Sequence, residues 1–356
     1  MKKKYISLQA LRGIAAWMVV FHHYMQIAHH FEGHGFLGKL FTRYGAFGID
    51  IFFVISGFVM FLSAHKATTD GLAFFFRRLF RVVPTYWFYT TLLALLVALL
   101  PQAFFFTQYD ASSLAASYLF FPSENPSGIG LYPLLMVGWT LIFEMFFYTV
   151  LSVCIAISKK HAILLCSAAV LLCPLTYPES LPYGSVIGNK LLWEFLCGFL
   201  IAYVFTHVRA MLEKHATATL AISGLVFVAF ASLGTFTDYK LLSRVMVSGS
   251  VVTAFISIND WRLFHAGLGK WLSAAGDWSY STYLCHIITI SLLTYLVQRI
   301  FSTTNDVVLL TLVILSTALL SRASYRYMEN NPGVLRLREF LTDLAEAKHK
   351  PEVTRD

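Results

Sequence analysis

The sequence predicts an all-α integral membrane protein, a bundle of about ten transmembrane helices with both termini cytoplasmic. Three observations carry that expectation. Only 13% of the 356 residues are charged while 57% are hydrophobic, against about 25% charged in an ordinary soluble domain. The mean hydropathy is +0.66. The apolar residues fall in continuous Leu-, Phe- and Val-rich runs, whereas a β-barrel reads as alternating segments of about ten residues. A disordered chain, a secreted disulfide scaffold and an ordinary cytosolic enzyme are excluded by the same composition.

A spanning helix needs about 20 mostly apolar residues, and the chain offers such runs one after another. The first, 8–30, follows Lys2-Lys3-Lys4. It is too long for a signal peptide and lacks a small-residue cleavage site. The second covers 45–64, and the third, 83–100, opens beside Pro84, a residue suited to a helix's first turn. The fourth, 138–158, begins at Trp139, and the fifth, 162–178, is short and ends among Pro174 and Pro178. The sixth, seventh and eighth occupy 189–208, 218–235 and 241–258. The ninth, 279–299, carries polar residues, and the tenth covers 306–326. Cys154, Cys166, Cys173, Cys197 and Cys285 all lie in apolar runs without CxxC spacing, as small core residues do. One membrane domain, 1–328, accounts for nearly everything, and 329–356 is expected to be a charged cytoplasmic tail.

The net charge of +8 would suggest nucleic acid on a soluble protein, but its distribution is topological. With the N-terminus inside, the loops on the outer side hold only Lys39, Arg43, Lys190, Lys240, Arg244 and Arg299 of the 27 basic residues. The long 101–137 connection, outside, has no Lys or Arg. That is the positive-inside pattern, and no nucleic-acid partner is expected.

An Arg or Asp at the centre of a membrane helix costs about 2.5–3.5 kcal/mol on insertion scales, so those that persist are candidates for function. Here they are Arg12, His22, His23, Asp50, Glu144, Glu194 and His286. At about 100° and 1.5 Å per residue, Arg12 and His23 share a helix face, about 20° apart around it and about 16 Å apart along it. His22 lies about 80° off that line. Ordinary roles compete: Arg12 can snorkel to headgroups and the histidines can pair with carbonyls. The stretch from Phe74 to Trp87 interleaves Arg77, Arg78 and Arg81 with aromatic residues on the cytoplasmic side. Arginine grips phosphate in a bidentate way, although lipid-headgroup contact is the bland alternative. Asp50, Glu144 and Glu194 each enter from outside, which suggests an anionic donor approaching from the cytoplasm and a hydroxyl-rich acceptor held by carboxylates. Pairing of these acids with basic side chains is the structural alternative. Nucleotide-loop, GxSxG and HExxH motifs are absent and no GxGxxG follows a strand, so any chemistry must lie within the bundle.

Five stretches in order resemble the membrane acyltransferase family 3. They are Leu8-Gln9-Ala10-Leu11-Arg12-Gly13 with its later histidine pair, Gly48–Phe58, Arg77–Trp87, Trp139–Glu144 with Phe147-Tyr148, and Ser279–His286. Together they cover about 8–330. Thr140 stands where the family often has serine, and Glu329-Asn330-Asn331-Pro332 spaces its Glu and Pro more widely than is common.

The resemblance implies an inner-membrane O-acyltransferase that moves an acyl group, acetyl in the first instance, from cytoplasmic acetyl-CoA to a hydroxyl of a surface or exopolysaccharide sugar or its lipid-linked precursor. It implies His23 as general base or transient acyl carrier, and Arg12 at the thioester oxyanion or gripping the pantetheine end. Glu144 and Asp50 would orient His23 or bind sugar, and Arg78 and Arg81, with Arg77 beside them, would hold the phosphates of coenzyme A. Tyr283 and His286 are secondary candidates. The expected partners are a saccharide or lipid-linked saccharide acceptor, acyl-CoA and membrane lipids, with a homo-oligomer or a polysaccharide-synthesis complex as a further expectation and no metal. The competing class is a multi-span transporter or flippase of a polysaccharide intermediate, whose buried Arg, His and Glu would line a path.

Overall fold

The computed structural model describes residues 5–33, 35–64, 70–104, 107–178, 180–181, 183–232, 241–264, 266–301 and 306–347. Lys2, Lys3, Lys4, His34 and Lys240, and the tail beyond 347, lie outside them. The described residues form helices with no strand. In chain order these are α1 (Ile6–His29), α2 (Gly35–Tyr44), α3 (Gly48–Ala64), α4 (Gly71–Leu99), α5 (Ala111–Tyr118), α6 (Trp139–Ile157), α7 (Ala162–Thr176), α8 (Gly184–Ile187), α9 (Leu192–Lys214), α10 (Ala216–Ser232), α11 (Leu241–Ser257), α12 (Gly267–Asp277), α13 (Ser279–Ile300), α14 (Asp306–Ser324) and α15 (Pro332–Ala347).

Among the described residues, six stretches are long and apolar enough to cross a membrane: Gly35–Ala64, Gly71–Leu99, Met136–Ile157, Leu192–Lys214, Ser279–Ile300 and Asp306–Glu329. Ala162–Thr176, Ala216–Phe230 and Leu242–Ser257 are shorter apolar helices. α1 is long enough but carries Arg12, His22 and His23. The outer surface is apolar, with Leu164, Leu225, Val307 and Leu319 each about 70% exposed. In water such a surface would be an association hazard, and in lipid it is the expected outer face. The protein is a membrane protein.

One predicted boundary moves. The third span was expected to open beside Pro84, whereas α4 starts at Gly71 and carries Pro84 inside it. Asp70 caps the earlier start, accepting from the backbone N–H groups of Leu72 and Ala73 at 2.9 and 3.1 Å. An interior proline removes only one helical hydrogen bond, a loss that membrane helices tolerate when neighbours supply partners. Arg77, Arg78 and Arg81 therefore stand on a helix and not in a loop. Among the described residues, four of the connections between the predicted runs also contain helices: α2, α5, α8 and α12. Asp110 and Ser113 cap α5 reciprocally, and hydrogen bonds from Ser113 and Ser112 hold the Asp110 carboxyl below its ordinary range. The segment expected as a charged tail holds α15, which packs along α4.

Helix seams rely on small residues, which let backbones approach where lipid supplies no hydrophobic drive. α3 packs on α9, and α1 on α12 and α13. A Cβ on Gly276 of α12 would sit 1.7 Å from the Gln9 carbonyl oxygen of α1, so α1 is pressed directly onto its neighbour. One core runs through the bundle, with Tyr86, Tyr148, Phe58, Phe147 and Phe195 among its fully buried side chains.

Candidate active site

The start of α1, most of the length of α3, the first half of α4 and the starts of α6 and α13 enclose a cavity of about 410 Å³. Its wall is largely apolar, with Ile49, Phe52, Ile55, Val59, Met60 and Leu141. Set into that wall are Arg12, Arg78, Arg81, Glu144 and Tyr148. Arg12 Nη1 donates to Gln9 Oε1 at 3.3 Å. Arg78 Nη2 donates to Ser63 Oγ at 2.7 Å, and its guanidinium lies 5.6 Å from the Phe74 ring centroid and 5.9 Å from that of Tyr148. Arg81 keeps an exposed position on the cavity rim. Glu144 Oε1 accepts from Ser56 Oγ at 3.0 Å and from the Tyr148 hydroxyl one helical turn on.

Glu329 joins this group from the far end of the chain. A π-turn over Tyr325–Glu329 extends α14, so that Glu329 Oε1 accepts from Ser281 Oγ at 2.5 Å. Its carboxyl lies within electrostatic reach of Arg81 and Arg12. Nothing in the local sequence signals this, because a π-turn shifts the helical register without a distinctive residue. Tyr148 was legible in principle, being four residues after Glu144 and hence on the same helix face.

His23 stands apart from the cavity lining. It is 8% exposed and lies towards the other end of α1. Tyr283 lines the cavity, and its hydroxyl donates to the Val137 carbonyl at 2.8 Å. The Tyr283 ring is 5.9 Å from that of His286, and His286 Nε2 is 3.1 Å from His23 Nδ1. Tyr283 and His286 thus stand between the cavity lining and His23. His22 points elsewhere, its Nδ1–H donating to the Phe41 carbonyl of α2 at 3.1 Å.

Besides His23, two predicted site residues fall outside the cavity. Arg77 pairs with Glu346 of α15 at 2.9 Å, about the separation of a surface ion pair and on the other flank of α4. Asp50 is 1% exposed and accepts from Arg244 Nε at 2.6 Å, with Glu194 3.9 Å from the same nitrogen. This places Asp50 and Glu194 in the seam of α3, α9 and α11, where they face a basic side chain. Removing one partner of a buried ion pair costs about 3–5 kcal/mol, so Asp50→Asn is expected to lower the thermal midpoint of the detergent-solubilised protein by several degrees. The acceptor KM should stay within about twofold. A raised acceptor KM with an unchanged midpoint would return Asp50 to sugar binding.

Among the described residues no group of three or more His, Cys, Asp or Glu is placed to hold a metal. The cavity sets arginines into a largely apolar wall, with a histidine pair beyond Tyr283. A family model described as an acyltransferase domain matches residues 5–326. The chain belongs to this acyltransferase family. It is similar to the exopolysaccharide production protein ExoZ of Rhizobium meliloti (strain 1021), 27% identical over 290 residues that cover 77% of this chain and 82% of that protein. It is also similar to nodulation protein 10 of Rhizobium leguminosarum bv. viciae, 25% identical over 322 residues, 79% of this chain and 82% of that one. No solved structure matches it. The protein is an acyltransferase, and the family implies use of an acyl donor.

Proposed function

We propose that the protein crosses the bacterial inner membrane ten times with both termini cytoplasmic, and moves an acetyl group from cytoplasmic acetyl-CoA to a sugar hydroxyl of an exopolysaccharide, a surface polysaccharide or their lipid-linked precursor. The observation that carries this reading is the cavity, with Arg12, Arg78 and Arg81 set into a largely apolar wall. The inside excess of basic residues supports the orientation, and the ExoZ likeness favours an exopolysaccharide acceptor.

In this reading Arg78 and Arg81 hold the donor's phosphates through charge-assisted hydrogen bonds, and the pantetheine arm runs along the apolar wall towards Tyr283. Arg12, beside them, grips the pantetheine arm through its guanidinium. His23 takes the proton of the acceptor hydroxyl. The hydroxyl oxygen then attacks the thioester carbon, the C–S bond breaks, and the departing thiolate takes the proton from the His23 imidazolium. A covalent acyl-His23 intermediate uses the same residues with the attack order changed. Glu144, bound by Ser56 and Tyr148, keeps the cavity wall in register and balances the arginines.

Glycan mass spectrometry on cells with and without the protein tests the function. An acetyl-sized mass difference on one sugar is expected, and identical glycans would sink the reading in favour of transport. Arg81→Ala is expected to raise the acyl-CoA KM by roughly tenfold or more, the worth of a hydrogen bond to a charged group, with kcat changed much less. An unchanged donor KM in steady-state kinetics would remove Arg81 from the donor site.

A further inference from the structure

The hydrogen bonds around His23 decide which of its ring nitrogens is free. His286 lies on α13, is fully buried, and has Nδ1 3.1 Å from the Thr282 carbonyl oxygen. A carbonyl has no proton to give, so Nδ1 of His286 carries the hydrogen and donates. In a neutral imidazole the other nitrogen is then bare. That bare Nε2 faces His23 Nδ1 at 3.1 Å, so the contact needs a proton on His23 Nδ1. A second observation on another helix agrees: His23 Nδ1 is also 3.0 Å from the Val19 carbonyl oxygen, which again can only accept. The reverse assignment, a doubly protonated His286 donating to a bare His23 Nδ1, would set two acceptors 3.0 Å apart at Val19 and would bury an uncompensated cation. Two backbone carbonyls, one on α1 and one on α13, therefore hold both rings as Nδ1–H tautomers.

The geometry points to His286 as the positioning residue that keeps His23 in the Nδ1–H tautomer, leaving His23 Nε2 as an unprotonated nitrogen able to take a proton or accept an acyl group. This rests on the reading of His23 given above. When His23 Nε2 takes the acceptor's proton, the Nδ1–H bond to His286 Nε2 and Val19 remains, and becomes charge-assisted and stronger. His286 thus fixes both the ring's orientation and the polarity of the resulting imidazolium, as a carbonyl or carboxylate does behind many functional histidines. His22 has its own Nδ1–H committed to Phe41 on α2 and offers no such partner to His23. The one-turn spacing of Thr282 and His286 on α13 is what makes the backstop, because a helix places the carbonyl of one beside the side chain of the other.

Nitrogen NMR of the histidine-labelled full-length protein in detergent or nanodiscs reads this directly, with the His23 signals identified by their loss in His23→Asn. At neutral pH the wild type is expected to show the unprotonated-nitrogen resonance on His23 Nε2. A resonance from the Nε2–H tautomer would overturn the proposal, whatever the activity. His286→Ala removes the acceptor and is expected to lower kcat by about 10²–10⁴-fold, the range of a general-base contribution, with the acyl-CoA KM within about threefold. His286→Gln, whose amide oxygen can accept from His23 Nδ1, is expected to recover most of that loss together with the wild-type tautomer. Equal kcat in the wild type and both variants would overturn the proposal, and so would a loss in both with the tautomer unchanged. Activity retained in His23→Ala would instead overturn the reading of His23 itself, a separate result from a separate variant.

Discussion

Replacing His23 with alanine is expected to reduce acyl transfer by about 10²–10⁴-fold, the contribution typical of a positioned general base, and by more if the acyl group is carried on the ring. The protein should still insert, because a small residue on a membrane helix is cheaper than a buried imidazole. His22→Ala is the contrasting variant. His22 bonds the Phe41 carbonyl and packs beside α2, so its loss should alter stability more than turnover. The measurement is single-turnover transfer from labelled acetyl-CoA in reconstituted membranes, with folding followed by size-exclusion of the solubilised protein. Near-wild-type turnover in His23→Ala would move the reacting group to another side chain, with His286 next in line.

The second large effect is on assembly. A Cβ on Gly198 would lie 2.1 Å from the Val54 carbonyl oxygen and 2.7 Å from the Phe58 nitrogen, and one on Gly57 would lie 2.1 Å from the Phe195 carbonyl oxygen. The two glycines face each other across the α3–α9 seam, and the atoms they would strike are backbone, which cannot swing away. Overpacking costs about 1–3 kcal/mol even where side chains can adjust, and here helices must separate. Gly198→Leu is expected to abolish recovery of monodisperse protein or to lower its thermal midpoint by ten degrees or more, by roughly the ratio of several kcal/mol to a domain's unfolding entropy. Gly224→Leu is the control, since nothing lies within 4 Å of its missing Cβ, and it should match wild type. Equal midpoints for the two variants would show that the α3–α9 approach is not required.

Much of the fold was legible because the bilayer imposes a length and a polarity. The predicted runs 138–158 and 279–299 match α6 and α13 within two residues at each end. The start of α4 was misplaced by a dozen residues because proline is ambiguous: it opens helices in water and is tolerated within them in lipid. The Asp70 cap was the signal that could have corrected it. The charged segment after 329 reads as a tail by composition, yet α15 packs on α4 and pairs Glu346 with Arg77. That pair is a contact across 269 residues, beyond any local pattern. Helical spacing put Arg12 and His23 on one face, and the structure gives that face two tasks. Arg12 lines the cavity, and His23 meets α13.

Residue order alone specified a membrane bundle, its succession of helices and the few charges costly enough to be informative, because each of those follows from transfer between water and lipid over one helix length. Packing decided the rest. Asp50 and Glu194 went to Arg244, Glu329 came back to the arginines through a π-turn, and His23 was distinguished from His22 by the neighbour each meets. Such choices depend on contacts between residues hundreds of positions apart. A pattern with a period of 3.6 residues says which face a side chain occupies, and only the assembled helices say what that face touches.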